Sequence, residues 1–596
     1  MNDIITSRVE SLRHWMRKNG LAAYIFPSTD PHSGEYVPDH WKAREWISGF
    51  NGSAGIAAVT LTRAALWTDS RYWLAAEEQT AGTPFEVIRC SRNTATPEEL
   101  LAWIDEPGTV GLDAWTNTLQ RVEAFQQVAA AKGMTIRTDI EPTAELWAER
   151  PPLPESPIEI QPLEYAGETA ASKIERILEA VNEQGADAAI ITQLDDIAWT
   201  LNLRGTDVHC TPVFVAYLII QPTAATLYVN PAKLTTEVQQ YLSECHVQTS
   251  PYQAITHDLH ENGHLRYLID PETTNFAIIN AIAETSTIIE AECPVAQMKT
   301  MKNAAEIAGL RHAMLKDGVA MVKFLRWLEE EIRDERLKIR DERSLTEISI
   351  DRKLTSLRAE QPGFRDISFD TIAGYGPHAA IVHYEATPET DVPLEPHGLL
   401  LLDSGAQYTD GTTDITRTIA LGPLTDDERR DYTLVLKGHI RLAMAVFPDG
   451  SSGTQLDVLA RYAMWQEHKN YGHGTGHGVG SYLSVHEGPH QFRMNWMPAP
   501  LRAGMTITIE PGIYIAGSHG CRTENTMLIV EDAPNWLRLE PLTLCPIDTT
   551  PIIREMMAAD ELDYINKYHA RVREALLPLL DDEADRAWLI AHTVAL

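Results

Sequence analysis

The sequence contains few cysteines, and none of them belongs to a Cys-x-x-Cys pair. The six lie far apart along 596 residues, at Cys90, Cys210, Cys245, Cys293, Cys521 and Cys545. This spacing argues against a disulfide framework and against a thiolate zinc site. The chain also lacks an apolar run as long as a membrane span, and charged residues interrupt its first segment where a signal peptide would be apolar. We therefore expect a cytoplasmic protein with reduced thiols and no membrane association.

Positive charge is scarce in this chain. There are 50 Lys and Arg residues against 84 Asp and Glu residues, which gives a formal net charge of −34. Nonspecific binding to nucleic acid or to an anionic membrane needs a basic surface, so neither is expected as a partner. Hydrophobic residues make up 44% of the sequence, enough for several cores, and the length predicts about three domains.

Two similar regions precede and follow a proline-rich linker, "PPLPESP" at 151–157. Each region opens with a helical pattern and an apolar strand, and each then places a Trp before a short Gly-containing turn, at Trp46 and Trp199. We interpret them as a weakly duplicated α/β domain, with chance similarity as the alternative. The predicted domains are 1–152, 158–298 and 299–596.

The third region combines helices with strands in hairpins, which predicts an α+β domain. Cap pairs mark three helix starts, Asn303 with Glu306, Ser344 with Glu347, and Thr425 with Glu428. Short apolar strands, among them "GLLLLDSGA", "TRTIAL", "MTITIEPGIYI" and "NTMLIVED", lie between and after these helices. The last sixty residues return to a helical pattern.

Four carboxylates stand at the ends of these strands. Asp403 ends the strand "LLLL", and Asp414 follows eleven residues later, beyond a turn expected at Asp410-Gly411. Glu510 ends a second strand before a proline, and Glu524 opens the next one after several glycines. Each acid alone has an ordinary structural interpretation, as a turn cap or a solvated strand end. Together, unpaired carboxylates that are costly to desolvate predict a bound cation.

Two histidines lie four residues apart in the glycine-rich stretch "YGHGTGHGVG", at His473 and His477. Glycine at this density argues against a helix and for backbone that bends or closely approaches a neighbour. His477 alone could be a buried core histidine. With the four acids it completes a ligand set suited to Mn²⁺, Co²⁺, Fe²⁺ or Zn²⁺, and two ions fit if some carboxylates bridge. Such a site can hold a bridging hydroxide and polarise a carbonyl for hydrolysis.

The motifs resemble those of a known family. In order, "LLDSGAQYTDGTTDITRT", "GHGTGHGVGSYLSVHEGP", "TIEPGIY" and "RTEN" resemble the metallopeptidases with the pita-bread fold. The N-terminal "FPSTDPHSGEY", "SGFNGSAG" and "WTDSRYW" and the later "EPLTLCPID" resemble the cytosolic, three-domain aminopeptidase P enzymes of that family. The resemblance covers essentially the whole chain. It implies two creatinase-like α/β domains followed by a pita-bread catalytic domain.

The resemblance also implies roles for individual residues. The metal ligands would be Asp403, Asp414, His477, Glu510 and Glu524, holding two divalent ions, for which Mn²⁺ is the family expectation. Asp414 and Glu524 would bridge the ions, and Glu510 would act as general base toward the bridging water. Catalytic and substrate-binding roles would fall to His383, His473 and His486.

Two arginines and the assembly complete the expectations. Arg522 would orient the carboxylates or bind substrate, and Arg71 would reach a neighbouring active site in a homodimer. Proline-containing peptides would be the substrates. Two residues depart from the family pattern, His378 in "GPHAAI" and Thr523, and they leave the preferred first residue of the substrate open.

Three other functions compete with aminopeptidase P. A prolidase shares the ligand set but takes only dipeptides, and the length of this chain disfavours it. A non-catalytic pita-bread scaffold would be expected to have lost metal ligands and to carry a long acidic tail, whereas here the ligands are present and the tail is helical. A creatinase-like amidinohydrolase is disfavoured because the predicted metal ligands are intact.

Overall fold

The computed structural model describes residues 2–90, 94–104, 107–333 and 345–596. These residues form two compact units, one of Met1–Leu163 with Glu168–Gln297 and one of Glu164–Gly167 with Met298–Leu596. In the described ranges, no helix combines the length and the apolar character that crossing a bilayer requires.

The first unit contains two six-stranded sheets. The strands of the first sheet are Ala23–Phe26, Ile56–Thr60, Ala64–Thr68, Phe85–Arg89, Thr109–Gly111 and Thr135–Arg137. Across the sheet they lie in the order fourth, third, second, first, fifth, sixth. The second strand is antiparallel to the first and third, and the remaining neighbours are parallel.

The second sheet repeats this topology. Its strands are Ala188–Ile191, Ala216–Gln221, Ala224–Val229, Val247–Pro251, Arg266–Ile269 and Thr287–Glu290. Their order and their parallel and antiparallel pairings match those of the first sheet strand for strand. Chance similarity between two α/β units would not reproduce six strands in one mixed order, so the predicted duplication is confirmed. The three-domain division at 1–152, 158–298 and 299–596 stays a prediction.

Helices cover both sheets of the first unit. They are Asn2–Asn19, Ala43–Ser48, Trp73–Gln79, Pro97–Trp103, Leu119–Ala131, Thr143–Leu146, Ala170–Glu183, Leu194–Leu201, Thr236–Glu244, Ile255–Glu261 and Phe276–Ala281. The predicted linker at 151–157, all of it described, contains neither helix nor strand, as its prolines require. Two short helices, Leu163–Ala166 and Pro294–Thr300, lie where the chain passes from one unit to the other.

The strands of the second unit pair only antiparallel among its described residues, as the α+β prediction requires. Two of its sheets position the predicted acids. In the first of these sheets, the strand Leu399–Ser404 lies between Ile372–Tyr375 and Ile415–Ala420. In the second, the strands lie in the order Val446–Pro448, Trp536–Pro541, Asn525–Ala533 and Thr506–Ile509. A small three-stranded sheet has the order Phe364–Ile367, Ala406–Tyr408, Gly411–Thr412. Two further strand pairs are Gly476–Gly478 with Glu487–Phe492 and Gly512–Ile515 with His519–Arg522.

Four of the six longer helices described in the second unit follow a residue whose side chain caps them, namely Asn303, Thr346, Thr425 and Asp582. The six helices are Ala304–Arg333, Glu347–Ala359, Asp426–Ala443, Gly453–Trp465, Ala559–Leu576 and Glu583–Ala591. The predicted cap pairs Asn303 with Glu306 and Thr425 with Glu428 are confirmed by reciprocal hydrogen bonds. Ser344 lies outside the described residues, and the helix assigned to it starts instead after Thr346, whose side chain accepts from the Ser349 amide.

Candidate metal centre

Asp403 and Asp414 lie on neighbouring strands because the chain between them turns back in a hairpin. Asp403 stands opposite Thr416 in the pairing of Leu399–Ser404 with Ile415–Ala420, and Asp414 directly precedes the second of these strands. The tight turn closes with Tyr408 opposite Gly411, so it falls one residue before the predicted Asp410-Gly411 point. The predicted hairpin is otherwise present.

Glu510 and Glu524 meet at one end of an antiparallel strand pair. Ile509 stands opposite Asn525, so the residue after one strand and the residue before the other share that end. The sequence pattern suggested one strand across "MTITIEPGIYI", but the strand stops at Ile509 and a separate one begins at Gly512. Pro511 has no amide hydrogen to continue the ladder, which explains the break beside Glu510.

Two backbone hydrogen bonds join these strand ends to the other parts of the site. The Glu524 amide donates to the Thr416 carbonyl at 3.0 Å, and the Glu510 amide donates to the Thr475 carbonyl at 2.7 Å. Because both residues are anchored through the main chain, their carboxylates start from fixed positions.

The glycine-rich stretch carries His477 on the short strand Gly476–Gly478. A Cβ atom at Gly476 would lie 1.8 Å from the Thr508 carbonyl oxygen, a distance that no side chain tolerates. The prediction that these glycines permit close backbone approach is therefore confirmed here. The His477 amide also donates to Thr508 Oγ1 at 3.1 Å, and its ring Nδ1 lies 2.9 Å from the Gly478 carbonyl oxygen. That contact turns Nε2 toward the acids.

The side chains of the predicted ligands converge. His477 Nε2 lies 3.5 Å from Asp414 Oδ2 and 3.6 Å from Glu510 Oε1. Ligand atoms of Asp414, His477 and Glu524 all lie within 4.8 Å of one another. Asp403 Oδ1 is buried and has no hydrogen-bond partner among the residues that the structure describes. A buried carboxylate oxygen without a donor fits a cation as its missing partner.

The electrostatics of the acids point the same way. Burial raises the pKa of Asp414 well above its ordinary value, and the nearby charges of Glu524, Asp403 and Glu510 raise it further. Burial together with the Asp403 charge raises the pKa of Glu524 to about 8. Several carboxylates that repel one another in a buried space favour a divalent cation, and the donor set of oxygens with one imidazole suits Mn²⁺ and its neighbours.

Arg522 is buried at the edge of this cluster rather than on the surface. Its Nη2 donates to Asp403 Oδ2 at 2.6 Å, its Nε to Thr416 Oγ1 at 3.2 Å, and its Nη1 to the Tyr514 hydroxyl at 2.7 Å. Thr416 in turn donates to Glu524 Oε2 at 2.7 Å. These contacts support the predicted orienting role of Arg522, and direct contact with substrate stays a prediction.

His473 joins the same network through Tyr514. Its Nε2 lies 2.8 Å from the Tyr514 oxygen, and its Nδ1 lies 2.6 Å from the Gly474 carbonyl oxygen. Since Arg522 donates to that tyrosine oxygen, the phenolic proton is directed to Nε2, and the neutral imidazole keeps its proton on Nδ1. The network therefore selects one tautomer of His473.

A buried ion pair supports the loop that carries His473. Arg461 is stacked 3.7 Å from the centroid of the Tyr471 ring and donates to the carbonyls of Tyr471, at 2.7 Å, and His473, at 3.0 Å. Asp457 accepts from Arg461 Nε at 2.6 Å and also from the Thr475 hydroxyl. Three carbonyl and hydroxyl groups of the glycine-rich stretch are thus fixed from one helix.

The remaining predicted residues fall in different places. The His486 ring centroid lies 4.4 Å from that of His477, at the metal cluster. His383 follows Val382, whose carbonyl oxygen lies 3.4 Å from Arg522 Nη1. Arg71 lies in the first unit, where it donates to both Asp69 carboxylate oxygens at 2.9 and 2.8 Å. Its predicted role in a dimer stays a prediction.

Sequence reasoning missed Tyr514, Thr416, Arg461 and Asp457. Thr416 was detectable, because it lies two residues after Asp414 on an extended segment and so on the same side. Asp457 and Arg461 lie four residues apart on one helix and could have been recognised as an ion pair. Their contacts with the glycine-rich stretch, and the contact of Tyr514 with His473, are contained in no local pattern.

Replacing Tyr514 by Phe should lower turnover about fivefold with little change in KM, since one orienting hydrogen bond of ~1 kcal/mol is lost at His473. Steady-state hydrolysis of a proline-containing peptide measures this. Tyr564→Phe is the matched control, because the Tyr564 hydroxyl is buried without a hydrogen-bond partner in the described ranges. Equal activity of Tyr514→Phe and wild type would contradict the orienting role of the hydroxyl.

Comparison with family models divides the chain into four matching parts. Residues 8–142 and 149–306 each match a creatinase/prolidase N-terminal domain, residues 308–531 match metallopeptidase family M24, and residues 535–596 match the C-terminal region of that peptidase family. Two matches to the same N-terminal domain agree with the duplicated sheets.

Relatives match over nearly the whole length. The chain is 38% identical to aminopeptidase P2 of Arabidopsis thaliana, covering 99% of this chain and 88% of the relative. It is 36% identical to Xaa-Pro aminopeptidase 1 of Dictyostelium discoideum, covering 97% and 94%.

Solved structures give the same result. The chain matches the X-prolyl aminopeptidase of Caenorhabditis elegans, a cytosolic enzyme with a di-nuclear active site, with a TM-score of 0.94, 32% identity and coverage of 99% and 100%. A Xaa-Pro dipeptidase of Bacillus anthracis matches with a TM-score of 0.51 and 25% identity, over 64% of this chain and 99% of its own. The predicted fold class, two creatinase-like domains followed by a pita-bread domain, is confirmed.

Proposed function

Since the chain belongs to the aminopeptidase P group of metallopeptidase family M24, we propose that it removes the N-terminal residue from peptides with proline at the second position. It is a hydrolase by its family. The observation that supports its being catalytically competent is the convergence of Asp414, His477 and Glu524 within 4.8 Å, with Asp403 Oδ1 buried beside the arginine that holds Oδ2.

The five ligand candidates fit a pair of divalent ions. Of the five candidates, Asp414 and Glu524 are buried acids whose pKa values are raised, so they are the ones that would bridge two cations. Asp403 would complete the shell of one ion, and His477 and Glu510 that of the other. Mn²⁺ is the metal we propose. Two bound ions supply Lewis-acid polarisation of the scissile carbonyl and acidification of the attacking water.

The side chains of this protein then divide the proton transfers. Glu510 accepts the proton of the water whose oxygen attacks the carbonyl carbon. The bond from that carbon to the proline nitrogen breaks, and the nitrogen leaves protonated. His473, fixed by Tyr514, and His383 and His486 bind the proline side of the substrate, stabilise the developing oxyanion or move protons. Loss of one such histidine should lower turnover about 10²–10⁴-fold.

Release of free arginine from Arg-Pro-Pro tests the proposal. The metal-stripped protein is assayed before and after addition of Mn²⁺, with Arg-Ala-Ala and Arg-Pro as controls. Mn²⁺-dependent cleavage of Arg-Pro-Pro is the expected result. Cleavage of Arg-Pro alone would assign the chain to the prolidases. Inactivity on all three peptides, with metal bound, would overturn the proposed function and favour a binding scaffold.

The structure gives a reason to prefer the aminopeptidase over the prolidase. The dipeptidase structure matches 64% of this chain, whereas the aminopeptidase structure matches 99%. We propose that the protein acts in the cytoplasm, as the C. elegans enzyme does.

We also propose a homodimer. An exposed apolar stripe on the helix Gly453–Trp465 is formed by Val458, Tyr462 and Trp465, with exposed fractions of 41, 61 and 37%. The loop of Met494 and Trp496, also exposed, is tied to the start of this helix through hydrogen bonds of Thr454 with the Asn495 carbonyl and the Met497 amide. Exposed aromatic and apolar residues of this kind are typical of a protein interface, and because the family resemblance implies a homodimer, a second copy is the partner we assign.

Tyr462→Arg should therefore shift the protein from dimer to monomer, because it places a charge at the centre of the stripe. Sedimentation velocity at several concentrations measures the change. Ile590→Arg is the control, since Ile590 is exposed on a different helix. A dimer that persists in Tyr462→Arg, or a monomeric wild type, would contradict this interface. In such a dimer Arg71 remains a candidate contact to the partner's substrate.

A further inference from the structure

Glu347 is one of the buried carboxylates of the catalytic unit that lie outside the metal cluster. Glu347, at the start of the helix Glu347–Ala359, is fully buried. It accepts hydrogen bonds from the Tyr375 amide at 2.8 Å and from the Tyr384 hydroxyl at 2.8 Å. His378 Nδ1 lies 3.0 Å from both of its carboxylate oxygens. A buried charge is retained only where several donors satisfy it, and here all three donors come from one segment of ten residues, Tyr375 to Tyr384.

The segment from Tyr375 to Tyr384 contains His383. It begins with the 3₁₀ turn Gly376–Ala380, which packs so closely on the strand His519–Arg522 that a Cβ at Gly520 would lie 1.8 Å from the Ala379 carbonyl oxygen. Near its end, the Val382 carbonyl lies 3.4 Å from Arg522, the arginine that also holds Asp403. His383 thus stands between Val382, beside the metal centre, and Tyr384, which is bound to Glu347.

We propose that Glu347, with His378 and Tyr384, forms a clamp that positions the imidazole of His383 for the reaction. Glu347 holds the segment at its first residue, at its 3₁₀ turn and immediately after His383, so the main chain at His383 has little freedom on that side. The inference rests on the proposed function for its catalytic consequence. Glu347, His378 and Tyr384 are positioning residues, since they act through His383.

His378 is the partly exposed member of the clamp. Its side chain is a quarter exposed, while the carboxylate that it contacts is fully buried. Its ring centroid lies 4.4 Å from that of Tyr384, so the imidazole packs on one Glu347 partner and hydrogen bonds to the carboxylate itself. His378 is one of the two positions at which the sequence departs from the pattern expected of the family, and this departure adds a partner to the clamp.

The first test changes the carboxylate without changing its shape. Glu347→Gln keeps an oxygen that can accept from the Tyr375 amide and from His378, but its amide nitrogen cannot accept from the Tyr384 hydroxyl. Glu389→Gln is the matched control, because Glu389 is exposed on the same stretch of chain. Hydrogen exchange of the peptide amides from 375 to 384, measured by mass spectrometry, should quicken in Glu347→Gln and not in Glu389→Gln. Unchanged exchange would overturn the clamp whether or not the protein hydrolyses Xaa-Pro peptides.

The second test asks whether the clamp acts through His383. Glu347→Gln should lower kcat/KM on Arg-Pro-Pro by about 10²-fold, the effect of a reacting group displaced by roughly 1 Å. In a His383→Ala background the same substitution should change kcat/KM less than about twofold, because the group that it positions is gone. A full second loss in that background would show a merely structural role and overturn the proposal.

His378→Ala protects the test against misfolding of Glu347→Gln. It removes one partner from a partly exposed position and leaves Tyr375 and Tyr384 in place. The same exchange increase and the same dependence on His383, each smaller than for Glu347→Gln, are expected. Exchange and activity equal to those of wild type would remove His378 from the clamp. If wild type itself fails on Arg-Pro-Pro, the proposed function falls, and the exchange measurements alone decide the positioning of the segment.

Discussion

Glu524→Gln is expected to abolish peptide hydrolysis and, at the same time, to raise the melting temperature of the metal-free protein. Activity should fall by roughly 10³-fold or more, since loss of a single preorganised electrostatic group already costs about 10²–10³-fold and this residue is proposed to bridge two ions. Stability should rise because the buried Glu524 charge faces that of Asp403 when no cation is present. An ordinary destabilising substitution would lower both quantities.

The pH dependence of the melting temperature gives this prediction its sign. Burial and the Asp403 charge raise the pKa of Glu524 to about 8 in the folded protein, whereas an unfolded glutamate titrates near 4.5. Between these values the folded protein binds the extra proton, so stability from this group is complete below pH ~4.5 and is lost as the pH rises through about 8. The glutamine does not titrate. The advantage of metal-free Glu524→Gln over metal-free wild type should therefore grow from pH 5 to pH 9.

Thermal melts with and without Mn²⁺ measure both effects on the same samples. Mn²⁺ should stabilise wild type strongly at pH 8 and Glu524→Gln weakly, because a ligand that binds the folded state more tightly adds more stability, with the logarithm of its concentration over Kd. Glu531→Gln, exposed on the strand that follows Glu524, is the control and should resemble wild type throughout. If metal-free Glu524→Gln melts below metal-free wild type at pH 8, the negative charge of Glu524 does not destabilise the metal-free protein, and the prediction is wrong.

The ligand candidates could be predicted from the sequence because each lies at the end of a local element. A hairpin brings Asp403 and Asp414 together within a dozen residues, and the strand pair that joins Ile509 with Asn525 brings Glu510 and Glu524 together. Such pairings follow from alternation, turn residues and a proline, all of which are visible in the sequence. The glycines around His477 were interpretable for the same reason.

The sequence indicated on which side of the strands Arg522 and Thr416 lie, but not which atoms they contact, because those contacts cross large sequence separations. Arg522 reaches Asp403 across 119 residues, and Thr416 reaches Glu524 across 108. Nothing in the sequence distinguishes a buried arginine from an exposed one before the partners are known. Helix starts show a milder form of this limit, since Ser344 and Thr346 are both acceptable caps, and the helix Glu347–Ala359 follows Thr346.

Arg522→Met should cost the metal-free protein about 3–5 kcal/mol of unfolding free energy, since removal of one partner of a buried ion pair leaves the other charge uncompensated. Asp403 Oδ2 would lose its 2.6 Å partner while Oδ1 already lacks one among the described residues. Although burial opposes the charge of Arg522, the neighbouring Tyr514, Asp403 and Glu510 raise its pKa, so the guanidinium is charged at any pH used. Denaturant unfolding curves measure the loss.

Bound metal should change the size of this loss, which separates Arg522 from an ordinary core residue. With Mn²⁺ present, a cation takes over part of the compensation at Asp403, so Arg522→Met should lose less stability than without it. Turnover should still fall about 10–100-fold, the usual cost of removing a partner that orients a metal ligand, because Tyr514 and Thr416 lose their donor as well. Arg538→Met, at a partly exposed arginine of the neighbouring hairpin that pairs with Asp532, is the control and should lose little in either condition. An equal loss of stability with and without Mn²⁺ would mean that Arg522 contributes by packing alone, and the assignment of Asp403 as a metal ligand would then lose its electrostatic support.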